Sequence, residues 1–139
     1  MFFMDDGMIA RNPVVLAPTL DWGLLFRTDY WGANMFDGSW THKSFRPLTV
    51  LTFRWNYLLH GFASSGYHIT NLALHLLATA MLGAFACLSL RLPTPWGALL
   101  AALFFAHPVH TESLLTIVGR ADLLCLIFIL LAAATYEPC

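Results

Sequence analysis

Charge is what this sequence has least of. Lys, Arg, Asp and Glu make up 11% of its 139 residues, with seven basic and eight acidic side chains. Soluble domains carry about 25% charged residues, so the chain lies far outside that class. Its formal net charge of −1 argues against nucleic acid as a partner, because a polyphosphate is held by a basic excess. Cysteine is scarce as well. Of three cysteines, Cys87 and Cys125 lie inside apolar runs, where a thiol behaves as a small hydrophobe, and Cys139 is the last residue. Three cysteines so placed do not make a disulfide framework, and no C-x-x-C or zinc-ribbon spacing occurs. There is no Asn-x-Ser/Thr acceptor, since Asn12 precedes Pro13 and no other Asn fits. Met1 to Met4 is too short for a signal peptide, and Asp5-Asp6 follows at once. Internal repeats and low-complexity linkers are absent too.

What is present is apolar. Hydrophobic residues account for 58% and mean hydropathy is +0.66. Such a chain has room for about three to five membrane crossings with their loops. Residues 1–41 are loop-like and rich in Trp22, Phe26, Tyr30, Trp31, Phe36 and Trp40. Amphipathic rings suit a membrane–water interface; the alternative is a small folded loop that buries them. Asp21 is placed to cap a short helix over Trp22 to Phe26. Residues 42–60 predict an amphipathic helix along the interface. Pro47 lies in its first turn, Leu48, Leu51, Trp55, Leu58 and Leu59 fall at helical spacing, and Gly61 ends it.

Ile69 to Leu90 is the best transmembrane candidate, covering roughly 33 Å with no formal charge. Asn71 and His75 are four apart and share one face of it, expected to point inward or toward the interface. Trp96 to Ala106 is too short to cross alone. With some upstream extension it predicts a crossing that ends near His107, followed by a short helix. Leu123 to Tyr136 is a further apolar run. The domain reading is therefore an interfacial region over 1–66 and a transmembrane region over 67–139, with about three apolar helices and a polar loop near 107–120.

Three groups of residues could do chemistry. Asp5-Asp6 is an acidic pair; if its carboxyls stay close, one pKa rises and a usable general base results. The alternative is a solvated turn. His107, His110 and Glu112 are metal-ligand types at helical spacing, but Pro108 breaks the regularity and no third His or Cys is well placed, so a divalent metal is not favoured. The same residues could form a polar helix cap, or, as imidazolium with Arg120 and free helix N–H groups, an oxyanion site. Asp122 could pair with Arg120 or cap a helix starting at Leu123. His42, Lys43 and Arg46 form a compact basic group suited to lipid phosphate head groups, or to a solvated loop.

Three stretches carry a family resemblance. Thr41-His42-Lys43-Ser44-Phe45-Arg46-Pro47-Leu48-Thr49-Val50-Leu51-Thr52-Phe53-Arg54 is the first. Ala106-His107-Pro108-Val109-His110-Thr111-Glu112 and Val118-Gly119-Arg120-Ala121-Asp122-Leu123-Leu124 are the others, supported by Asp29-Tyr30-Trp31-Gly32 and Tyr67-His68-x-x-Asn71. Together they resemble the transmembrane and tetratricopeptide-repeat O-mannosyltransferases of the endoplasmic reticulum, over about residues 3 to 135. The resemblance implies an all-α, multi-pass, GT-C-like membrane glycosyltransferase with interfacial helices in its first luminal loop. Dolichyl-phosphate mannose would be the donor, and Ser or Thr of secretory-pathway proteins, notably cadherins, the acceptor. It puts the acidic pair of the first luminal loop on Asp5 and Asp6, and a second luminal motif on His107 to Glu112 and Arg120 to Asp122. The span before Asp5, the later spans and the repeats are expected outside this chain, which then reads as a fragment or short isoform, inactive alone. Two alternatives accompany it: an inactive membrane segment that associates with other membrane proteins, and a membrane protein binding metal through His107, His110 and Glu112.

Overall fold

The computed structural model describes residues 9–38 and 41–136. Asp5, Asp6, Trp40 and Cys139 lie outside the described residues. The architecture is helical. Among the described residues the only extended pairing is an isolated antiparallel bridge between Thr28 and Asn34. The chain divides into two compact units, Met1–Tyr67 and His68–Cys139.

In the first unit, α1 (Pro13–Leu16) begins at Asn12, whose side-chain oxygen accepts from the Val14 amide. Helix α2 (Trp22–Arg27) starts at Asp21, whose Oδ1 accepts from the Leu24 N–H at 3.1 Å. This is the expected cap, satisfying an amide that has no helical partner. Helix α3 (Pro47–His60) has proline in its first turn and stops at Gly61, where φ is +58°. It begins five residues later than the expected start at His42. Lys43 takes a left-handed φ of +51°, and Arg46, preceding a proline, is pushed out of the helical region. Helix α1 packs on α3 and α2, and Val14, Val15, Leu25, Tyr30, Val50, Phe53 and Tyr67 form the core.

The apolar stripe expected on α3 exists but faces outward. Leu48, Trp55, Leu58 and Leu59 are exposed, while Thr49, Val50, Phe53, Arg54 and Asn56 are buried. The buried polar groups have partners. Arg54 donates from Nη1 to the carbonyls of Val14 at 2.8 Å and Ala17 at 2.7 Å, closing the C-terminal end of α1. Polar residues inside and leucines outside fit an apolar surrounding, where the outer face needs no water and internal polar groups must satisfy each other.

Helix α4 (Ser64–Leu88) begins at the end of the first unit and continues into the second. It is the one described helix long and apolar enough to cross a membrane, and 28% of its most apolar stretch is buried. The core helix of a soluble protein would be mostly covered. Here Ile69, Leu72, Leu76, Leu77 and Leu88 are exposed, whereas Asn71 and His75 are fully buried. Helix α5 (Thr94–Ala106) is shorter, as its composition indicated. It lies against α4 through glycine: a Cβ on Gly97 would come 2.3 Å from Cys87 Sγ and 3.2 Å from the Gly83 carbonyl. Small residues permit this approach between apolar helices. The short α6 (His110–Leu115) follows, and α7 (Arg120–Tyr136) begins three residues before the expected Leu123. Asp122 therefore sits in the first turn of α7 and does not cap it.

Candidate functional site at the His107–Asp122 segment

The second unit gathers two sequence motifs into one polar cluster. His68, Asn71 and His75 project from the early turns of α4. The Asn71 side chain occupies the centre: its amide donates to the carbonyls of Thr116 at 3.0 Å and Ser113 at 3.4 Å, and its oxygen accepts from Arg120 Nε at 2.8 Å. His68 Nδ1 lies 3.3 Å from the Leu114 carbonyl. The last carbonyls of α6, which lack helical partners, are thus held by α4, and the first residue of α7 is tied to the same asparagine. Gly119 makes the turn between α6 and α7 possible, since a Cβ there would stand 2.3 Å from Ser113 Cα, a backbone atom.

Arg120 is completely buried. Sequence reasoning offered it as a phosphate ligand. The structure gives its guanidinium an asparagine partner and an enclosed position, so its first role is to fix the start of α7. Neither Asn71 nor His75 was singled out as a site residue. The available signal was that they are polar groups within an uncharged apolar span.

The second cluster is aromatic. The His110 ring lies 4.1 Å from that of Phe104 and 5.1 Å from that of His75, centroid to centroid. His107 stands edge-on to His110 at 6.2 Å. His75 stacks with both Phe104 and Phe105, its Nε2 is 3.4 Å from the Phe105 carbonyl, and its buried Nδ1 has no hydrogen-bond partner. Burial pushes the His110 pKa down, and the neighbouring imidazoles of His75 and His107 add to that effect. Desolvation and like-charge neighbours disfavour the His110 cation, which weighs against an imidazolium at this residue. Helix α6, with six residues, is too short to add a useful dipole.

The 107–112 loop closes on itself. His107 Nδ1 accepts from the Val109 amide at 3.2 Å and the Thr111 hydroxyl donates to the Pro108 carbonyl at 2.6 Å. His107, Glu112 and Asp122 are exposed. Among the described residues no group of three His, Cys, Asp or Glu side chains is placed to hold a metal ion.

In the first unit, His42, Lys43 and Arg46 are exposed. The Arg46 guanidinium carbon lies 5.1 Å from the centroid of the Tyr30 ring, within cation–π range. Nearby, Asp29 organises a turn that sequence reasoning had not assigned a role. Its Oδ1 accepts from the Trp31 and Ala33 amides, each at 2.9 Å, and its Oδ2 accepts from the Thr41 hydroxyl.

Comparison with curated proteins finds protein O-mannosyl-transferases among the relatives of this chain. Protein O-mannosyl-transferase TMTC4 of Homo sapiens is 42% identical over 148 residues, covering 97% of this chain and 20% of that protein. Protein O-mannosyl-transferase Tmtc1 of Drosophila melanogaster is 46% identical over 139 residues, covering 98% and 16%. Protein O-mannosyl-transferase TMTC3 of Homo sapiens is 38% identical over 135 residues, covering 97% and 14%. The chain thus spans a fifth or less of the length of these relatives. No family model matches it, and no solved structure does either.

Proposed function

Because the chain, over the segment it shares with them, belongs to the protein O-mannosyltransferase family of these relatives, we propose that it is the first luminal loop, with the apolar helices that follow it, of a GT-C-like, multi-pass enzyme of the endoplasmic reticulum membrane. The reaction is mannosyl transfer from dolichyl-phosphate mannose to a Ser or Thr hydroxyl of a secretory-pathway protein, with cadherins as candidate acceptors. Asp5 or Asp6 takes the hydroxyl proton, the oxygen attacks the anomeric carbon with inversion, and the bond to phosphate breaks. The leaving lipid phosphate is received at the His107–Asp122 end. There Arg120, held by Asn71, supplies positive charge, the imidazoles of His107 and His110 donate hydrogen bonds, and Glu112 and Asp122 complete the exposed rim.

The observation that carries this reading is the line of Asn71, His75 and Arg120, buried beside a helix whose other faces are exposed and apolar. Polar groups kept inside a membrane segment mark functional positions more often than structural accidents. The test replaces the acidic pair in a complete enzyme carrying this segment. Asp5→Asn or Asp6→Asn should lower mannose transfer to an acceptor peptide by about 10²–10⁴-fold, the range of a positioned general base, with membrane insertion unchanged. Transfer within about threefold of the parent in both variants would remove the pair from the mechanism.

A second reading rests on the exposed leucines of α4 and α5: a non-catalytic segment that assembles with a longer membrane protein. It predicts co-purification with a larger partner, and no loss of transfer when Asp5 and Asp6 are replaced.

A further inference from the structure

The first unit contains a cavity that the transfer reaction leaves unused. Its volume is about 300 Å³ and it is lined by Asp29, Trp31, Ala33, Thr41 and His42. That is the small end of the range for ligand pockets. Asp29 is 1% exposed, and its carboxyl accepts three hydrogen bonds, two from backbone amides and one from a hydroxyl. A carboxylate offers about four acceptor positions, so about one remains. All three donors are neutral, so none of them brings a compensating charge. A sugar diol, which would use two acceptor positions, is poorly served. An organic cation needs charge and aromatic faces more than hydrogen bonds.

Aromatic faces are at hand. The Trp31 and His42 rings are 6.2 Å apart at 49°, and Tyr30 stands edge-on to Trp31 at 5.6 Å. Lys43, which follows the lining residue His42 in the chain, and Arg46, whose guanidinium carbon lies 5.1 Å from the Tyr30 ring centroid, are exposed cations. The Lys43 amide donates to the Thr41 hydroxyl at 3.1 Å, and that hydroxyl donates to Asp29. One side chain therefore ties the basic segment to the carboxylate. An acidic, aromatic cavity beside a basic rim complements a ligand with a cation and an anion side by side. The same unit exposes Phe26 and Phe45, whose rings pair at 6.1 Å, and Phe36, which is 74% exposed. Such rings suit the head-group layer of a bilayer.

We infer that this cavity receives the ammonium group of a zwitterionic phospholipid, whose phosphate rests on Lys43 and Arg46. The occupant is a lipid because the exposed rings seat this unit in the interface, where that pair of charges is abundant. This inference concerns membrane recognition and stands apart from the transfer reaction.

The test titrates the 139-residue chain, kept in a maltoside detergent, with dihexanoyl phosphatidylcholine below its micelle concentration. Dihexanoyl phosphatidylglycerol, which has the same chains and phosphate but no ammonium, is the comparison. Phosphatidylcholine should bind at least about tenfold more tightly. Asp29→Asn and, independently, Trp31→Leu should reduce that preference to about twofold or less while leaving phosphatidylglycerol binding unchanged. Trp31→Leu keeps the hydrogen bonds of Asp29, so it reports on recognition even if Asp29→Asn disturbs the turn. Lys43→Gln with Arg46→Gln should weaken both lipids equally. Equal affinity for the two lipids in the parent would overturn the inference, as would a preference that survives Trp31→Leu. Displacement of phosphatidylcholine by a lysine-containing peptide but not by free choline would move the site to a protein ligand and overturn it too.

Discussion

Replacing Asn71 with Leu keeps the number and branching of the side-chain heavy atoms and removes three hydrogen bonds. The bond from Arg120 Nε to the Asn71 oxygen is 2.8 Å long and fully buried; a bond to a charged group contributes about 1.5–3 kcal/mol. The bonds to the Thr116 and Ser113 carbonyls, at 3.0 and 3.4 Å, add about 0.6 kcal/mol each on the scale found for polar contacts within membrane bundles. The sum is about 3–4 kcal/mol, concentrated where α4, α6 and α7 meet. For a domain of this size it corresponds to a fall of roughly 10 °C or more in apparent Tm. Cys87 is a convenient reporter, because it is half-buried and its sulfur faces Gly97 on α5. With Cys125 and Cys139 replaced by Ala, a thiol-reactive dye would follow Cys87 exposure on heating in detergent. Asn71→Asp should fall between the two, since it keeps a partner for Arg120 but loses both donors. A Tm for Asn71→Leu within about 2 °C of the parent would refute the reasoning, because even one lost charge-assisted bond predicts more.

Two further outcomes follow from the geometry. Gly97→Ala should destabilise the α4–α5 pair, since its Cβ would meet Cys87 Sγ at 2.3 Å. Cys87→Ala should restore part of the loss, read by tryptophan fluorescence on heating; no effect of the single change, or no rescue, contradicts the close approach. The His110 pKa lies below its ordinary 6.5, so the folded chain binds fewer protons there than the unfolded chain. This group has no effect on stability well above pH 6.5, and stability falls as pH drops from 6.5 through the folded pKa. Apparent Tm measured from pH 7.5 to pH 5 should decline more steeply in the parent than in His110→Phe; parallel profiles would argue that the imidazole is not disfavoured as a cation.

Local chemistry made several elements readable from sequence. Asp21 caps α2, Pro47 starts α3, Gly61 ends it, and Asn71 and His75 share a buried face of α4, because each depends on neighbours within a turn or two. Which face of α3 points inward was harder. Periodicity reveals the stripe of Leu48, Trp55, Leu58 and Leu59, but a soluble protein would bury it and a membrane-seated one presents it outward. The contacts of Arg54 with α1 and of Arg120 with Asn71 connect residues dozens of positions apart, and no local pattern encodes such a pairing. The early start of α7 at Arg120 likewise depends on the backbone approach at Gly119, invisible in propensity. The motifs that carry the family resemblance, Tyr67-His68-x-x-Asn71 and Val118 to Leu124, prove to share one hydrogen-bonded network. Their separation in the chain hid that relation.

The most direct measurement grafts this chain onto a complete relative. In protein O-mannosyl-transferase TMTC4, the matching segment would be replaced by residues 1–139, and mannose transfer from dolichyl-phosphate mannose to an acceptor peptide measured in membranes at matched expression. Transfer well above background, abolished when Asp5 and Asp6 are both changed to Asn, is the predicted result. A chimera that inserts and folds normally yet transfers no more than that double variant would contradict the assignment of this segment to a mannosyltransferase.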